Sequence, residues 1–481
     1  MAEPDLARRV MHGSAARALA FVGGTLVTAI GSIFLLRHLG LLDFGRYGTV
    51  MAVLGIASGV TEGGLTIVAT RDMALLADER DRYALLRDLL ALRIGLSAVG
   101  VAAAVGFALA AGYGDELVLG ALLAGIGVFF ASVEAAFLVP LAVDLRNGRV
   151  ALNEFVRQLL LVLGIVAFVV AGSELEGFFL NQLLAGAALL LVAPAIVGRA
   201  NIVAPRWNWR RNVALMREAA PLAIATVLAI VYFRVLVVLA SLLTTEVETA
   251  RFVTSARVFE MLIGLPLLMT SVVLPVLSVA ARDDPPRVQY VTQRLTEVAA
   301  LAGALLCLLL AVAAEPILVT LGGEEYRTVA PVLQIQSPVI VTLFLAAAWS
   351  PALIALGHQR ALAICTGLGL VAAIGLGLAL IPVMGAEGAA LAAALAELVN
   401  AGVALLLLRR AGPGRALHWE WVPKLLLAAG LATAVALLLP APALLQAIAG
   451  AGVLCAAGLA LGIVPPEVLA AARRRQSPAG Q

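Results

Sequence analysis

The sequence predicts an all-α, polytopic membrane protein of about fourteen transmembrane helices. Hydrophobic residues make up 62% of the 481 residues and charged residues only 13%, whereas soluble proteins have roughly 45–50% and about 25%. The mean hydropathy is +1.03. Apolar runs of about twenty residues recur along the chain, each long enough to cross a hydrocarbon core of roughly 30 Å. They lack the alternation of barrel strands, so only helices can satisfy their backbone polar groups within a bilayer.

The apolar runs define the individual elements. We interpret as spans 14–36, 44–69, 88–111, 117–143, 151–172, 177–197, 218–243, 252–279, 291–313, 329–356, 361–382, 386–408, 421–439 and 443–464. The loops between them are short, which leaves no room for a soluble catalytic domain.

The basic residues predict the orientation. Of 33 basic residues, 26 fall on one side of the membrane when the spans alternate, in loops or near the ends of spans, and five fall on the other side. Such an excess marks the cytoplasmic side, so we expect a multi-pass protein of the cell (inner or plasma) membrane with both termini cytoplasmic. The basic residues do not form a patch interleaved with aromatic residues, so nucleic acid is not an expected partner.

Two weak internal matches predict a repeat. At a shift of 205 residues, acid, Arg, aromatic and Thr positions of 43–49 coincide with those of 248–254, and at a shift of 207 Arg80, Tyr83 and Arg87 coincide with Arg287, Tyr290 and Arg294. An even number of spans separates the copies, which favours parallel repeats. The expected parts are an N-lobe of six helices (14–197), a cytoplasmic interfacial linker (198–217), a C-lobe of six helices (218–408), two further helices (421–464) and a cytoplasmic tail (465–481).

Arg234 is the main candidate for a binding residue. It lies within the apolar run 222–243, where a charge is costly and therefore marks a functional position by default. A guanidinium stays charged and binds phosphate through a bidentate fork, so Arg234 would contact a diphosphate or an acidic sugar. The alternatives are a structural pair with a carboxylate of another helix, or a side chain that extends to the interface.

Two further arginines are candidates for the same cavity. Arg37 flanks the first outer turn, where contact with lipid headgroups is ordinary, but its side chain could reach a central cavity. Arg257 lies three residues before Glu260 and hence on one helix face with it, so an internal ion pair is the alternative.

Two carboxylates within spans are candidates for ion coupling. Glu62 in the second span and Glu134 in the fourth could bind a coupling cation or a proton, or could neutralise Arg234 or Arg93. Either role would explain an ionisable group inside the bilayer.

The motifs of enzymes and cofactor proteins are missing from the sequence. There is no Walker motif, no nucleotide-binding glycine loop, no Gly-x-Ser-x-Gly and no His/Cys cluster of metal-binding spacing. The three cysteines lie inside apolar runs and are expected to be small buried hydrophobes. We therefore expect no catalytic residues, no metal and no cofactor.

Several stretches resemble oligosaccharide flippases of the Wzx-type polysaccharide transporter family. They are Leu35-Leu36-Arg37-His38-Leu39-Gly40, Asp43-Phe44-Gly45-Arg46-Tyr47-Gly48, Glu62-Gly63-Gly64-Leu65, Ala220-Pro221-Leu222, Ser255-Ala256-Arg257-Val258-Phe259-Glu260 and Val273-Leu274-Pro275-Val276-Leu277-Ser278. The resemblance covers the first twelve spans, and the superfamily also holds multidrug exporters and peptidoglycan lipid flippases.

The resemblance implies two six-helix lobes around a central, partly cationic cavity that works by alternating access. The expected substrate is a polyprenyl-diphosphate-linked oligosaccharide, moved from the inner to the outer leaflet for cell-surface polysaccharide biosynthesis. The expected partners are this lipid-linked oligosaccharide, membrane lipids and the glycan polymerase or ligase machinery. Two alternatives stay open: a cation-coupled multidrug exporter that uses Glu62 or Glu134, and a membrane-embedded glycan polymerase or ligase, which generally needs a longer outer loop than the one at 315–327.

Overall fold

The structure is a computed structural model that describes residues 3–412 and 417–463. Within these residues the regular elements are seventeen α-helices and two short 3-10 turns. The helices are α1 (Glu3–Glu62), α2 (Leu65–Leu75), α3 (Glu79–Ala110), α4 (Asp115–Phe137), α5 (Val139–Val143), α6 (Asn147–Val170), α7 (Leu175–Val197), α8 (Trp209–Leu243), α9 (Glu246–Leu262), α10 (Gly264–Asp283), α11 (Pro285–Val312), α12 (Ala314–Gly322), α13 (Ala330–Gln336), α14 (Val339–Ala355), α15 (Gln359–Arg410), α16 (Trp421–Leu438) and α17 (Ala443–Ala460). The predicted tail, 465–481, lies outside the described residues.

Two of the helices are too long for one membrane crossing. The 60 residues of α1 and the 52 residues of α15 correspond to about 90 and 78 Å of helix, against roughly 30 Å of hydrocarbon core. Each contains a break at a glycine with positive φ, Gly40 at 72° and Gly385 at 59°. Only glycine adopts such angles without strain, so these two residues separate the apolar segments of each helix.

The fold class predicted from the sequence, a helical polytopic membrane protein, is confirmed. In the described part of the chain, 11 helices are long and apolar enough to cross a membrane, or up to 12 if the bent pair Glu324–Gln336 and Val339–Ala355 counts as one crossing. If α1 and α15 each cross twice at their glycine breaks, the number rises further. The number of fourteen stays a prediction.

The chain divides into two compact units, the first unit Met1–Val253 and the second unit Thr254–Gln481. The division falls inside α9, whereas the predicted lobes are 14–197 and 218–408. Helix α8 therefore packs with the first unit, although the repeat pattern assigns it to the second lobe. The parallel repeat itself stays a prediction.

Glycines at the end of α1 and directly after it explain why α8 belongs to the first unit. A Cβ atom at Gly64 would lie 2.8 Å from the side chain of Leu222, and a Cβ at Gly59 would overlap Ile230. Small residues let helix backbones approach closely, and van der Waals packing then holds the helices together within lipid. The second half of α1 and α8 thus form one packed pair.

The last two helices pack within the second unit. Buried residues of α16 and α17, among them Leu425, Ala432 and Leu454, form one apolar cluster with Ala300 and Leu308 of α11. These helices therefore add to the core of the second unit.

Candidate functional site

The first unit contains a polar cavity of about 480 Å³ between α1, α4, α6 and α7. Cavities of roughly 300–1,000 Å³ hold small organic molecules in proteins. The polar residues that line it are Ser58, Glu62, Ser132, Glu134, Asn153, Glu154, Arg157 and Gln182. So many polar side chains among membrane-spanning helices mark this cavity as the candidate functional site.

Glu134 and Asn153 bring two buried acceptor atoms to this cavity. Both residues are 2% exposed, both line the cavity, and the amide of Asn153 acts on the carboxylate of Glu134. Within residues 3–412 and 417–463, Oε1 of Glu134 and Oδ1 of Asn153 have no hydrogen-bond partner. Buried polar atoms are nearly always satisfied, so this pair is suited to receive a donor from a bound molecule.

Arg93 lies behind the cavity and compensates one of its carboxylates. Its side chain is 1% exposed and lies 3.3 Å from Oε1 of Glu62. It also donates to the carbonyl oxygen of Ser132 at 2.9 Å and to the hydroxyl of Thr66. Of the two partners that the sequence left open for Glu62, the structure pairs it with Arg93.

A second ion pair lies on α6. Nε of Arg157 donates to Oε2 of Glu154 at 3.1 Å, and the amide of Gln158 donates to Oε1 at 2.8 Å. The three carboxylates of the cavity therefore differ. Glu62 and Glu154 each form an ion pair with an arginine, whereas Glu134 interacts with Arg157 and Arg93 only at longer range.

Arg234 lies beside this cavity. A Cβ at Gly55 would be 3.6 Å from Nε of Arg234, so the arginine side chain covers α1 at this glycine. Met51, Ser58 and Glu62 of α1 line the cavity, and their spacing relative to Gly55 puts all four positions on one helix face. Arg234, which is half-buried, thus packs against the face of α1 that borders the polar cavity.

The other two candidate arginines lie elsewhere. Arg37 is exposed and precedes the break at Gly40, and the fifteen residues from that break to Gly55 correspond to roughly 22 Å of helix. Arg257, in the second unit, donates to Oε2 of Glu260 at 2.7 Å. That contact is the internal ion pair that the spacing of the two residues offered as an alternative.

Sequence reasoning missed part of the cavity. Asn153 and Arg157 are not among the candidate residues that the sequence predicts, although both lie near the start of the fifth predicted span, 151–172. The available signal was their spacing of four residues, which puts both on one face of α6. Among the described residues, no group of three His, Cys, Asp or Glu side chains could hold a metal ion.

Comparison with known families gives one match over most of the chain. Residues 34–331 match the family described as polysaccharide biosynthesis protein. No curated protein matches the sequence.

Solved structures share the fold. The lipid II flippase MurJ in an inward closed conformation superposes with a TM-score of 0.77 at 13% identity, over 93% of this chain and 98% of that chain. A multidrug resistance MATE family transporter of the MOP superfamily, in an inward-facing conformation, gives 0.67 at 15% identity, over 83% and 99%. A MOP superfamily transporter from Pyrococcus furiosus gives 0.57 at 15% identity, over 84% and 96%. At these identities the likeness establishes the fold.

Proposed function

The chain belongs to the polysaccharide biosynthesis protein family, and we propose that it is a flippase for a polyprenyl-diphosphate-linked oligosaccharide. It would move this substrate from the inner to the outer leaflet by alternating access, and the flipped product would be used in cell-surface polysaccharide biosynthesis. The observation that carries the proposal is the polar cavity of about 480 Å³ among membrane-spanning helices of the first unit, with Arg234 at its border.

The physical requirement of flipping suits such a cavity. A sugar headgroup carries many hydroxyls, and each polar group left without a partner in hydrocarbon costs several kcal/mol, of the order of 2–7. A cavity lined by amide, hydroxyl and charged side chains replaces the lost hydration. The polyprenyl chain can stay in the bilayer while the headgroup crosses.

Arg234 is the proposed contact of the diphosphate. Its half-buried guanidinium can bind phosphate oxygens through two parallel hydrogen bonds, and its position beside the cavity would put the phosphates next to the sugar. Arg37 is exposed and Arg257 already binds Glu260, so we propose supporting roles for them at other stages of the cycle.

Orientation and partners belong to the same proposal. We propose that both termini are cytoplasmic, as the distribution of basic residues predicts, and that the chain acts as a transporter without catalytic chemistry. The flipped product would pass to glycan polymerase or ligase machinery on the outer side.

A cation-coupled multidrug exporter is the second candidate function. It is favoured by Glu134, a buried carboxylate that lines the cavity and is farther than 4 Å from every arginine nitrogen among the described residues, although Arg157 and Arg93 act on it at longer range. In such an exporter Glu134 is a better coupling group than Glu62, because Glu62 is already bound to Arg93.

The two functions are separated by transport assays in proteoliposomes. The purified full-length chain is reconstituted with a polyprenyl-diphosphate-linked oligosaccharide, and the appearance of the sugar in the opposite leaflet is measured by its accessibility to an added glycosidase. The same vesicles are tested for efflux of an organic cation driven by a sodium or proton gradient. Sugar translocation without cation efflux supports the flippase, and the reverse result refutes it.

A further inference from the structure

We infer that the Glu134–Asn153 pair binds a hydroxyl or ammonium group of the substrate's sugar, and that the cavity therefore favours neutral and amino sugars over acidic ones. The inference rests on the proposed flippase function and names the class of sugar that the flippase accepts. It concerns the cavity of the first unit alone.

Two atoms of the cavity wall lack partners in the described part of the chain. Oε1 of Glu134 and Oδ1 of Asn153 belong to residues that are 2% exposed and that line the same cavity, and neither has a hydrogen-bond partner in the part of the chain that the structure describes. Both atoms accept hydrogen bonds. Their partner must therefore donate, as a hydroxyl or an ammonium does and an ionised carboxylate cannot.

The lining of the cavity carries more negative than positive side chains. Three carboxylates and one guanidinium face the cavity. Arg157 is bound by Glu154, and Arg93 behind the wall is bound by Glu62. Both arginines also attract Glu134 at longer range, so two cations are shared among three carboxylates and the lining keeps an excess of negative charge. A sugar carboxylate at this wall would meet the charge of Glu134, and juxtaposed like charges are strongly unfavourable at a desolvated interface.

Arg234 lies close to one edge of the cavity that Glu134 and Asn153 line. The cavity includes Ser58 of α1, and Arg234 packs against Gly55, three residues earlier. Three residues correspond to about 4.5 Å along a helix. A diphosphate at Arg234 would thus be followed by its attached sugar in the cavity, the order in which the two groups are joined in the substrate.

The remaining polar lining also suits a sugar. Ser58 and Gln182 add a hydroxyl and an amide to the wall, and both groups can donate as well as accept. The amide of Gln182 donates to the hydroxyl of Tyr47 at 2.8 Å, which holds its side chain in place. The wall therefore offers acceptors at Glu134 and Asn153, with a hydroxyl and an amide beside them.

The test compares sugars that differ in a single group. Proteoliposomes with the full-length chain receive one of four polyprenyl-diphosphate-linked sugars. Glucose is compared with glucuronic acid, and galactose with galacturonic acid. The initial translocation rate is measured for each sugar. We expect the neutral sugar of each pair to move at least about tenfold faster. Only the acidic sugar brings a second negative charge next to Glu134, and one such like-charge contact is enough for a difference of this size. Glu134→Gln replaces the charge by an amide of the same shape, so the ratio should fall to about threefold or less.

Two further variants make the result specific. Asn153→Asp adds a carboxylate at the same wall and should increase the ratio. Glu397→Gln is the matched control, because Glu397 is a buried carboxylate of the second unit that accepts from Asn400 at 3.0 Å. This control should leave the ratio unchanged, and all rates are normalised to folded protein.

The outcomes separate this inference from the proposed function. Equal rates for neutral and acidic sugars in the wild type overturn the inference and leave the flippase function intact. A loss of rate in Glu134→Gln that is equal for both sugars also overturns it, because Glu134 then serves another step such as ion coupling. Absence of translocation for every lipid-linked sugar refutes the proposed function itself.

Discussion

Arg46 donates two hydrogen bonds to one carboxylate oxygen of Glu246, from Nε at 3.1 Å and from a terminal nitrogen at 2.8 Å. The two residues are 200 positions apart in the chain, and their contact joins the second half of α1 to the start of α9. Asp43 at 3.0 Å and Glu116 at 3.9 Å add two more acids around the same guanidinium. The ion pair is therefore the centre of a charged cluster that ties three helices of the first unit together.

Charge reversal at this pair should be partly rescued by its complement. Arg46→Glu puts four acids together and should lower the thermal stability of the detergent-solubilised protein clearly. Glu246→Gln should cost less than about 1 kcal/mol, because the pair is partly exposed. The double variant Arg46→Glu/Glu246→Arg should recover part of the loss, whereas a double variant no more stable than Arg46→Glu would mean that the two side chains do not interact.

Gly45 should tolerate no side chain. A Cβ atom there would lie 2.5 Å from Cα of Ala250, so the backbones of α1 and α9 would have to separate. We expect Gly45→Ala to destabilise the protein by about 1–3 kcal/mol, as overpacking does.

Gly106 provides the control for this substitution. It also lies inside a helix, α3, but a Cβ there would have nothing within 4 Å. Gly106→Ala should therefore be neutral or stabilising by up to about 1 kcal/mol, since alanine loses less backbone entropy in a helix. Equal melting temperatures for the two variants would contradict the close approach at Gly45.

Glu62→Gln should harm the protein more than Arg93→Met. Removal of Glu62 leaves the guanidinium of Arg93, which is 1% exposed, without its close carboxylate, whereas removal of Arg93 leaves a Glu62 that is 54% exposed and can be hydrated. We expect Glu62→Gln to cost about 2 kcal/mol, below the 3–5 kcal/mol of fully buried pairs. The double variant Glu62→Gln/Arg93→Met should be more stable than Glu62→Gln alone, measured as folded yield and melting temperature; a less stable double variant would argue against a compensating pair.

Arg234→Lys should lose much of the translocation rate although it keeps the charge. An ammonium cannot reproduce the bidentate geometry with which a guanidinium binds phosphate. The rate is measured with a lipid-linked sugar in proteoliposomes and normalised to folded protein. Full activity in Arg234→Lys, together with loss of folded protein in Arg234→Ala, would assign Arg234 a structural role instead.

Cysteine labelling should resolve the orientation. Single cysteines at 174–176 and 324–327 should react with an impermeant reagent added to sealed cells, and cysteines at 206–211 should react only after permeabilisation. The expectation rests on the excess of basic residues in the predicted cytoplasmic loops. Labelling of 206–211 in sealed cells would contradict the predicted topology.

The sequence by itself determined the class of this protein. Its apolar runs predicted a helical polytopic membrane protein, which the described helices confirm, and the stretches around Arg46 and Arg257 predicted the family that residues 34–331 match. These features are local. Hydropathy over about twenty residues decides whether a segment enters the bilayer. The sequence of one chain is therefore enough to predict these features.

Only the tertiary structure decided which charges meet. From the sequence, Glu62 could compensate either Arg234 or Arg93. The packing of α3 against α1 brings the guanidinium of Arg93 to the carboxylate of Glu62. Glu134 of α4 and Asn153 of α6 likewise share one cavity because α7 packs against both helices, and neither segment alone predicts this arrangement. Within lipid, helices gain no hydrophobic energy by pairing, so small residues and polar contacts select the neighbours. A glycine such as Gly55 looks the same in sequence whether it faces Arg234 or lipid, and for this reason the cavity became visible only in the folded chain.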